Sequence, residues 1–288
     1  MINESLFGKE DLIKRINNLP STKYKDISQV LDSIEHNLIE HNERISSLPF
    51  MKYLNDEEKR VCFKELTQCS NIPIPLNTNL FGPETALDIV YFITSGLIKL
   101  SSKVLKHDSK SNDEKEKPFQ LLTIGDMLGE LEIFKDHNHK TVCTATAVLE
   151  DAECIGIKKN EFKLLMEKNP KIFKWFCEQL SLKIIRQGIE WNSQDDFIKL
   201  LFALVIICDN PAFTKNRKSI TITANQEELG KIIGINRHKI GRYLGLLEKI
   251  DIVIKGRDEY TIINPIKLKE NCIKIDTNGL FTYLYNRA

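Results

Sequence analysis

Apolar positions in the first 47 residues are sparse but regularly spaced. Leu31, Ile34, Leu38 and Ile45 recur at roughly helical intervals, which predicts an amphipathic helix from Ile27 to Ile45. From Leu48 the texture changes. Asp56-Glu57-Glu58 opens a helix whose apolar face is Val61, Cys62, Phe63 and Leu66, and Pro73 and Pro75 stop any continuation. Short strand-like runs follow. Val90 to Ile93 passes through Thr94-Ser95-Gly96 into Leu97 to Leu100, which predicts a hairpin with glycine at its turn. The almost wholly polar stretch Lys106 to Lys117 predicts a solvated loop, after which Phe119 to Leu122 resumes the strand pattern and Gly125-Asp126 turns it. Thr141 to Ala147 and Cys154 to Ile157 are two more short runs. Many short strands with turns between them predict an antiparallel barrel or roll.

Near Asn160 the period shifts from two to 3.6. Phe162, Leu165 and Met166 share one helical face, and Pro170 separates them from a long helix running from Ile172 to about Asn192. Trp175, Leu182 and Ile189 recur every seven residues, a seam wide enough for a helix–helix contact within the chain or across a dimer. Asp196 to Cys208 is so apolar that a buried helix is expected.

The most informative pattern lies at 220–263. Ile220-Thr221-Ile222 alternates as a strand. Thr223 with Gln226 three residues on reads as a capping box, and Leu229, Ile232 and Ile233 give the short helix its buried face. Gly234 permits a sharp turn. Asn236 then caps a second helix, buried through Ile240, Tyr243, Leu244 and Leu247 and presenting Arg237, His238, Lys239 and Arg242 near its N-terminal end. Ile252 to Ile254 and Tyr260 to Ile263 flank a Lys255-Gly256-Arg257-Asp258 turn and read as a hairpin. Helix, tight turn, helix and hairpin make a winged helix-turn-helix. The N-terminal residues of a second helix meet base edges in the major groove, where arginine pairs bidentately with guanine. A plain helical hairpin with a solvated basic face would share the periodicity, but not caps, turn and wing together.

Composition adds limits. The chain has 288 residues, 42% hydrophobic and 28% charged, enough for a core and one large domain or two. Forty-one Lys and Arg face forty Asp and Glu, so whole-chain charge names no polyanionic partner. From Lys215 to Tyr260, however, ten basic residues face six acidic ones. Seven scattered cysteines without C-x-x-C spacing predict buried thiols rather than a disulfide framework or a metal site. No apolar run reaches the about 18–20 residues of a membrane span, and the first residues lack a signal-peptide pattern, so the expected compartment is the cytoplasm. No nucleophile–base–orienter set, phosphate loop or metal cluster is visible, so no enzyme is expected.

With those residues in place, the chain resembles the Crp-Fnr family of bacterial transcription regulators from about Leu48 to Leu268. One carrier of the resemblance is the stretch from Ile222-Thr223 through Asn236-Arg237-His238-Lys239-Ile240-Gly241-Arg242 to Leu247-Glu248. The other is Gly125-Asp126-Met127-Leu128-Gly129-Glu130-Leu131, followed by Lys140-Thr141, Phe162 and Asn169-Pro170. The resemblance implies an α+β chain with an antiparallel β-roll (double-stranded β-helix) of the cyclic-nucleotide-binding type at 48–170, a long dimerisation helix with connector at 171–209, and a C-terminal winged helix-turn-helix at 210–288; the helical extension at 1–47 and the tail after Asn271 lie outside the family pattern.

It further implies a homodimer on a pseudo-palindromic operator in double-stranded DNA, with RNA polymerase as a further candidate partner and no membrane. Arg237, His238 and Arg242 fall where the family reads bases; with Lys239, Thr223 and Asn236 they form the expected DNA-contacting set. An acid is usual at the middle position, and His238 there implies a different half-site. For an effector, Gly129, Glu130, Leu131, Lys140 and Thr141 fall on the family's cyclic-nucleotide motif. Lys140 replaces the arginine that forks onto phosphate, and lysine is a point charge without that fork. The sequence therefore leaves the effector open: a cyclic nucleotide, another small molecule or none, with no certain cofactor. The remaining alternative is a nucleotide-responsive module whose winged helix binds protein.

Overall fold

The computed structural model describes residues 39–66, 69–104, 115–134, 140–192, 195–210, 219–256 and 259–275. Most of the helix expected at Ile27–Ile45, most of the loop at Lys106–Lys117, the basic stretch Lys215–Lys218, the Arg257-Asp258 turn and the Ile189 side chain lie outside these residues. The chain divides into two units, 1–47 and 48–288. In the first, residues 39–46 are helical, with Arg44 paired to Glu40 one turn away at 2.8 Å.

The second unit begins with a 3-10 turn at Pro49–Tyr53 and helix α1 (Asp56–Glu65). Asn55 and Glu58 close a reciprocal capping box, and three acidic residues occupy the first turn, where the helix dipole favours them. The roll is built from β1 (Cys69–Ile74), β2 (Asn79–Phe81), β3 (Ile89–Val104), β4 (Lys115–Leu122), β5 (Met127–Leu128) and β6 (Cys143–Lys158). All pairings are antiparallel, in the order β1-β6-β3-β4, with β2 also on β6 and β5 on β3.

The hairpin expected at Thr94-Ser95-Gly96 does not form. β3 runs through that stretch as one 16-residue strand, and the register against β6 slips on both sides of Ser95. Gly96 has φ +78°, and a Cβ there would lie 2.5 Å from the Asp151 carbonyl oxygen. The glycine therefore serves close approach at a bulge, not a chain reversal. The two runs expected at Thr141–Ala147 and Cys154–Ile157 likewise fuse into the single 16-residue β6.

Helices α2 (Lys159–Lys168), α3 (Pro170–Asn192) and α4 (Asp196–Asp209) follow. Phe50, Phe92, Phe162, Trp175 and Phe176 interlock beneath α3, with ring centroids 5.4–6.2 Å apart. Such pairs contribute about 0.5–1.5 kcal/mol each beyond simple burial. Trp175 is thus core rather than part of an exposed seam, and among the described side chains of α3 the large apolar ones left exposed are Phe173 and Ile184. Leu200 to Cys208 of α4 are all buried, as the apolar run predicts.

The C-terminal part comprises β7 (Ile220–Ile222), α5 (Gln226–Ile233), α6 (Arg237–Lys249), β8 (Val253–Lys255), β9 (Tyr260–Ile262) and α7 (Pro265–Ile275), with a sheet ordered β7-β9-β8. One core joins α4 to Leu97, Leu121 and Val148 of the roll and to Ile222, Leu229, Ile240, Leu244 and Leu268 beyond it. The Asn210 amide donates to the Gly96 carbonyl at 2.9 Å inside this contact, tying the end of α4 to the β3 bulge. Burial pushes the thiols of Cys154, Cys208 and Cys272 up to about 12 and that of Cys62 to about 11, as expected of thiols packed among apolar side chains. No helix among the described residues is long and apolar enough to cross a membrane.

Candidate functional site

The first helix of the motif starts later than the capping pattern predicts. Asn225, not Thr223, is the N-cap: its side chain accepts from the Glu227 and Glu228 amides, and Glu228 reaches back to the Asn225 N–H. Thr223 is exposed ahead of the helix. The reason is reach: Asn225 with Glu228 satisfies both ends of a capping box around a helix that begins at Gln226. Gly234 ends α5 at φ +80°, with its N–H donating to Gly230 O at 2.8 Å and the Ile235 N–H following at 2.9 Å.

Asn236 then caps α6 by accepting from the His238 N–H at 2.9 Å. Ile240, Tyr243, Leu244 and Leu247 are buried, while Arg237, His238, Lys239 and Arg242 lie on the other side, all four exposed. The Arg242 guanidinium lies 4.9 Å over the Tyr243 ring and bonds its hydroxyl at 3.2 Å. Lys239 donates to Asp196 at 2.6 Å, and this bond holds its ammonium above the ordinary lysine range. Lys231 pairs with Glu227 and Lys255 with Glu248. Arg237 and Arg242 have no ion-pair partner among the described residues.

On the roll, the five residues expected at an effector site do not converge on one point. Gly129, at φ +78°, starts the 3-10 turn Glu130–Glu132, and Leu131 is 66% exposed. Glu130 is buried and accepts from Lys183 of α3, which also donates to the Met127 carbonyl at 3.0 Å. Lys140 is largely exposed and pairs with Glu84 at 3.1 Å. The Thr141 hydroxyl donates to the Gly82 carbonyl at 2.7 Å. Glu132 is buried beside this group, and burial pushes the nearby Cys143 thiol up, with Lys183 opposing and Glu130 and Glu132 adding to the shift.

A cyclic phosphate set at the start of this turn would meet two buried carboxylates, one already held by lysine, and no convergent cation. As placed, these residues do not fit an anionic phosphodiester. Lys183, Arg186 and Asp126 are the contacts the sequence did not reveal: Arg186 pairs with Asp126 at 2.7 Å, so two cations one turn apart on α3 tie it to the turn around β5. Both pairs span more than fifty residues, and nothing local signals them.

Residues 73–169 match the cyclic nucleotide-binding domain family. The cAMP-activated global transcriptional regulator CRP of Haemophilus influenzae is 22% identical over 191 residues, 65% of this chain and 81% of that protein. The cAMP-activated global transcriptional regulator Vfr of Pseudomonas aeruginosa is 22% identical over 218 residues, 74% of this chain and 95% of that protein. The chain is thus similar to Crp-Fnr regulators, and about a third of it matches the cyclic nucleotide-binding domain family. A solved Crp-Fnr transcriptional regulator of Thermus thermophilus shares its fold, with a TM-score of 0.51 at 16% identity over 70% of this chain and 98% of that one. The matched residues run from within β1 to the end of α2, and α5, α6, β8 and β9 follow them in the chain.

Proposed function

We propose that the protein is a sequence-specific DNA-binding transcription regulator acting as a homodimer. The observation that carries this reading is the face of α6. Arg237, His238 and Arg242 stand on the solvent side of the first turns of a capped helix whose opposite face is wholly buried. Arg237 and Arg242 are suited to base edges, and helix N-termini with lysines to phosphate. Lys239 reaches a phosphate only by leaving Asp196.

With Trp175 in the core, the dimer seam is placed on the apolar stripe Phe173, Cys177, Leu180 and Ile184, spaced four, three and four along α3. Phe173 and Ile184 are 47% and 69% exposed, and spacing of this kind suits a two-helix seam. A two-fold axis along α3 sets two recognition helices about 34–36 Å apart, one turn of a pseudo-palindromic operator. Effector control acts through the roll by shifting the population of α6 orientations. Any effector that takes the Glu130 carboxylate must first displace Lys183 from it. Regulation of transcription brings RNA polymerase in as a further partner and places the protein in the cytoplasm.

Fluorescence anisotropy with a labelled duplex tests the reading. DNA binding by a basic face falls steeply as salt rises, because condensed counterions are released on binding. An affinity flat between low and physiological salt, or no binding at all, would overturn it in favour of a winged helix that docks on protein.

A further inference from the structure

Gly241 sits on α6 directly before Arg242 and one turn beyond Arg237 and His238. Its missing side chain is explained by α5. A Cβ at Gly241 would lie 2.6 Å from Oε1, 3.2 Å from Cδ and 3.4 Å from Nε2 of Gln226. The whole amide of Gln226, not its tip alone, therefore rests on the α6 backbone beside the exposed arginines. Gln226 is the first residue of α5 and is itself exposed. Its amide takes no hydrogen-bond partner among the described residues, so donor and acceptor are both free at the edge of the outward face.

That face lacks such a group otherwise. Arginine and lysine donate and cannot accept, and a neutral histidine donates and accepts only at opposite edges of its ring. The Asn236 oxygen is already taken by the His238 N–H. Base edges in the major groove present donors as well as acceptors. Adenine sets an N6 donor beside an N7 acceptor, a pair that a side-chain amide meets with one bond given and one taken. A phosphate is a poorer partner for Gln226, because Glu227 and Glu228 follow it in the first turn of α5 and repel an anion there.

We infer that Gln226 is a specificity-determining residue that reads an adenine beside the base pairs taken by Arg237 and Arg242. Its Nε2 donates to adenine N7, and its Oε1 accepts from adenine N6. Gly241 is the seat that holds the amide against the helix. The reading surface thus spans two helices, with forks for guanine on α6 and an amide for adenine lent by α5. This inference rests on the regulator reading.

The test selects random duplex with the full-length protein and with Gln226→Ala, Gln226→Glu and Gly241→Ala, then measures the enriched sites by competition anisotropy. The parent is expected to enrich an adenine in each half-site. Gln226→Ala is expected to lose that adenine, with discrimination there falling by about tenfold, and to keep the other positions. Gln226→Glu accepts but cannot donate, so its preference is expected to move to cytosine, whose N4 is a donor. A glutamine that only packs between helices would not exchange one base for another. Gly241→Ala displaces the flexible end of Gln226 and is expected to lose the adenine too, while its unfolding temperature holds or rises, since alanine favours a helix over glycine. A parent site that Gln226→Ala selects unchanged overturns the inference and leaves the regulator reading standing. Equal weakening by Gln226→Ala on every duplex, the mark of a phosphate contact, does the same. A parent that enriches no sequence sinks the regulator reading and this inference together.

Discussion

On α6 the Arg242 guanidinium is held against Tyr243 by ring and hydroxyl, so it is oriented before any partner arrives. An oriented fork loses less entropy on pairing with a base than a free one. Arg242→Ala is therefore expected to remove about 1–3 kcal/mol of discrimination between preferred and scrambled duplex. The side chain lies outside the buried face of α6, so its loss should leave unfolding temperature nearly unchanged, and competition anisotropy with a melting curve reads both. Glu150 gives a pH-dependent counterpart. Burial, then the charge of Asp151, raise its carboxyl above the usual range, and its Oε1 is buried with no hydrogen-bond partner among the described residues. The folded state therefore takes up this proton at a higher pH than the unfolded chain does, and ionised Glu150 weighs against folding above that pH. Glu150→Gln is expected to raise the unfolding temperature at neutral pH, with the gain fading as pH falls through the raised folded-state range and gone once it is below the unfolded carboxylate range. A gain of equal size at pH 4 and pH 7 would contradict the burial argument.

Among the elements, legibility followed how local the deciding contacts are. The α5–turn–α6 unit was readable because caps, the Gly234 turn and the buried set Ile240, Tyr243, Leu244 and Leu247 all lie within some twenty-five residues. Even there the cap moved from Thr223 to Asn225, since both residues fit the pattern and only the helix start separates them. Strand length was not readable. Thr94-Ser95-Gly96 has turn composition, yet pairing with residues more than fifty positions away makes it a bulge. On α3 apolar residues surround the helix, so periodicity alone selected Trp175 and Leu182. The aromatic cluster with Phe50 and Phe92 takes Trp175 into the core and leaves Phe173 and Ile184 outside. Ile184→Glu is accordingly the substitution expected to break the proposed dimer. Light scattering after size exclusion should report a dimer for the parent and a monomer for the variant, with the circular dichroism unchanged. A variant that stays dimeric moves the interface off this stripe.

At the scale of the whole molecule, α4 is the element through which the parts communicate. Its run from Leu200 to Cys208 is buried between the roll and the winged helix, and its ends are tied to both: Asn210 to the Gly96 bulge, Asp196 to Lys239 of α6. The two cations of α3, Lys183 and Arg186, fasten the roll's β5 turn to the same helical layer. Under the proposed regulator reading, an effector would act by disturbing one of these fastenings and so changing how α6 is held. The central claim is that the outward face of α6 reads duplex DNA, twice, about a two-fold axis. Its most direct test is selection of random duplex by the full-length protein, repeated with Arg242→Ala. The account predicts an enriched sequence with two inverted half-sites one helical turn apart, and loss of preference at one symmetric pair of positions in the variant. An enriched set with no symmetry, or one identical for both proteins, would contradict it.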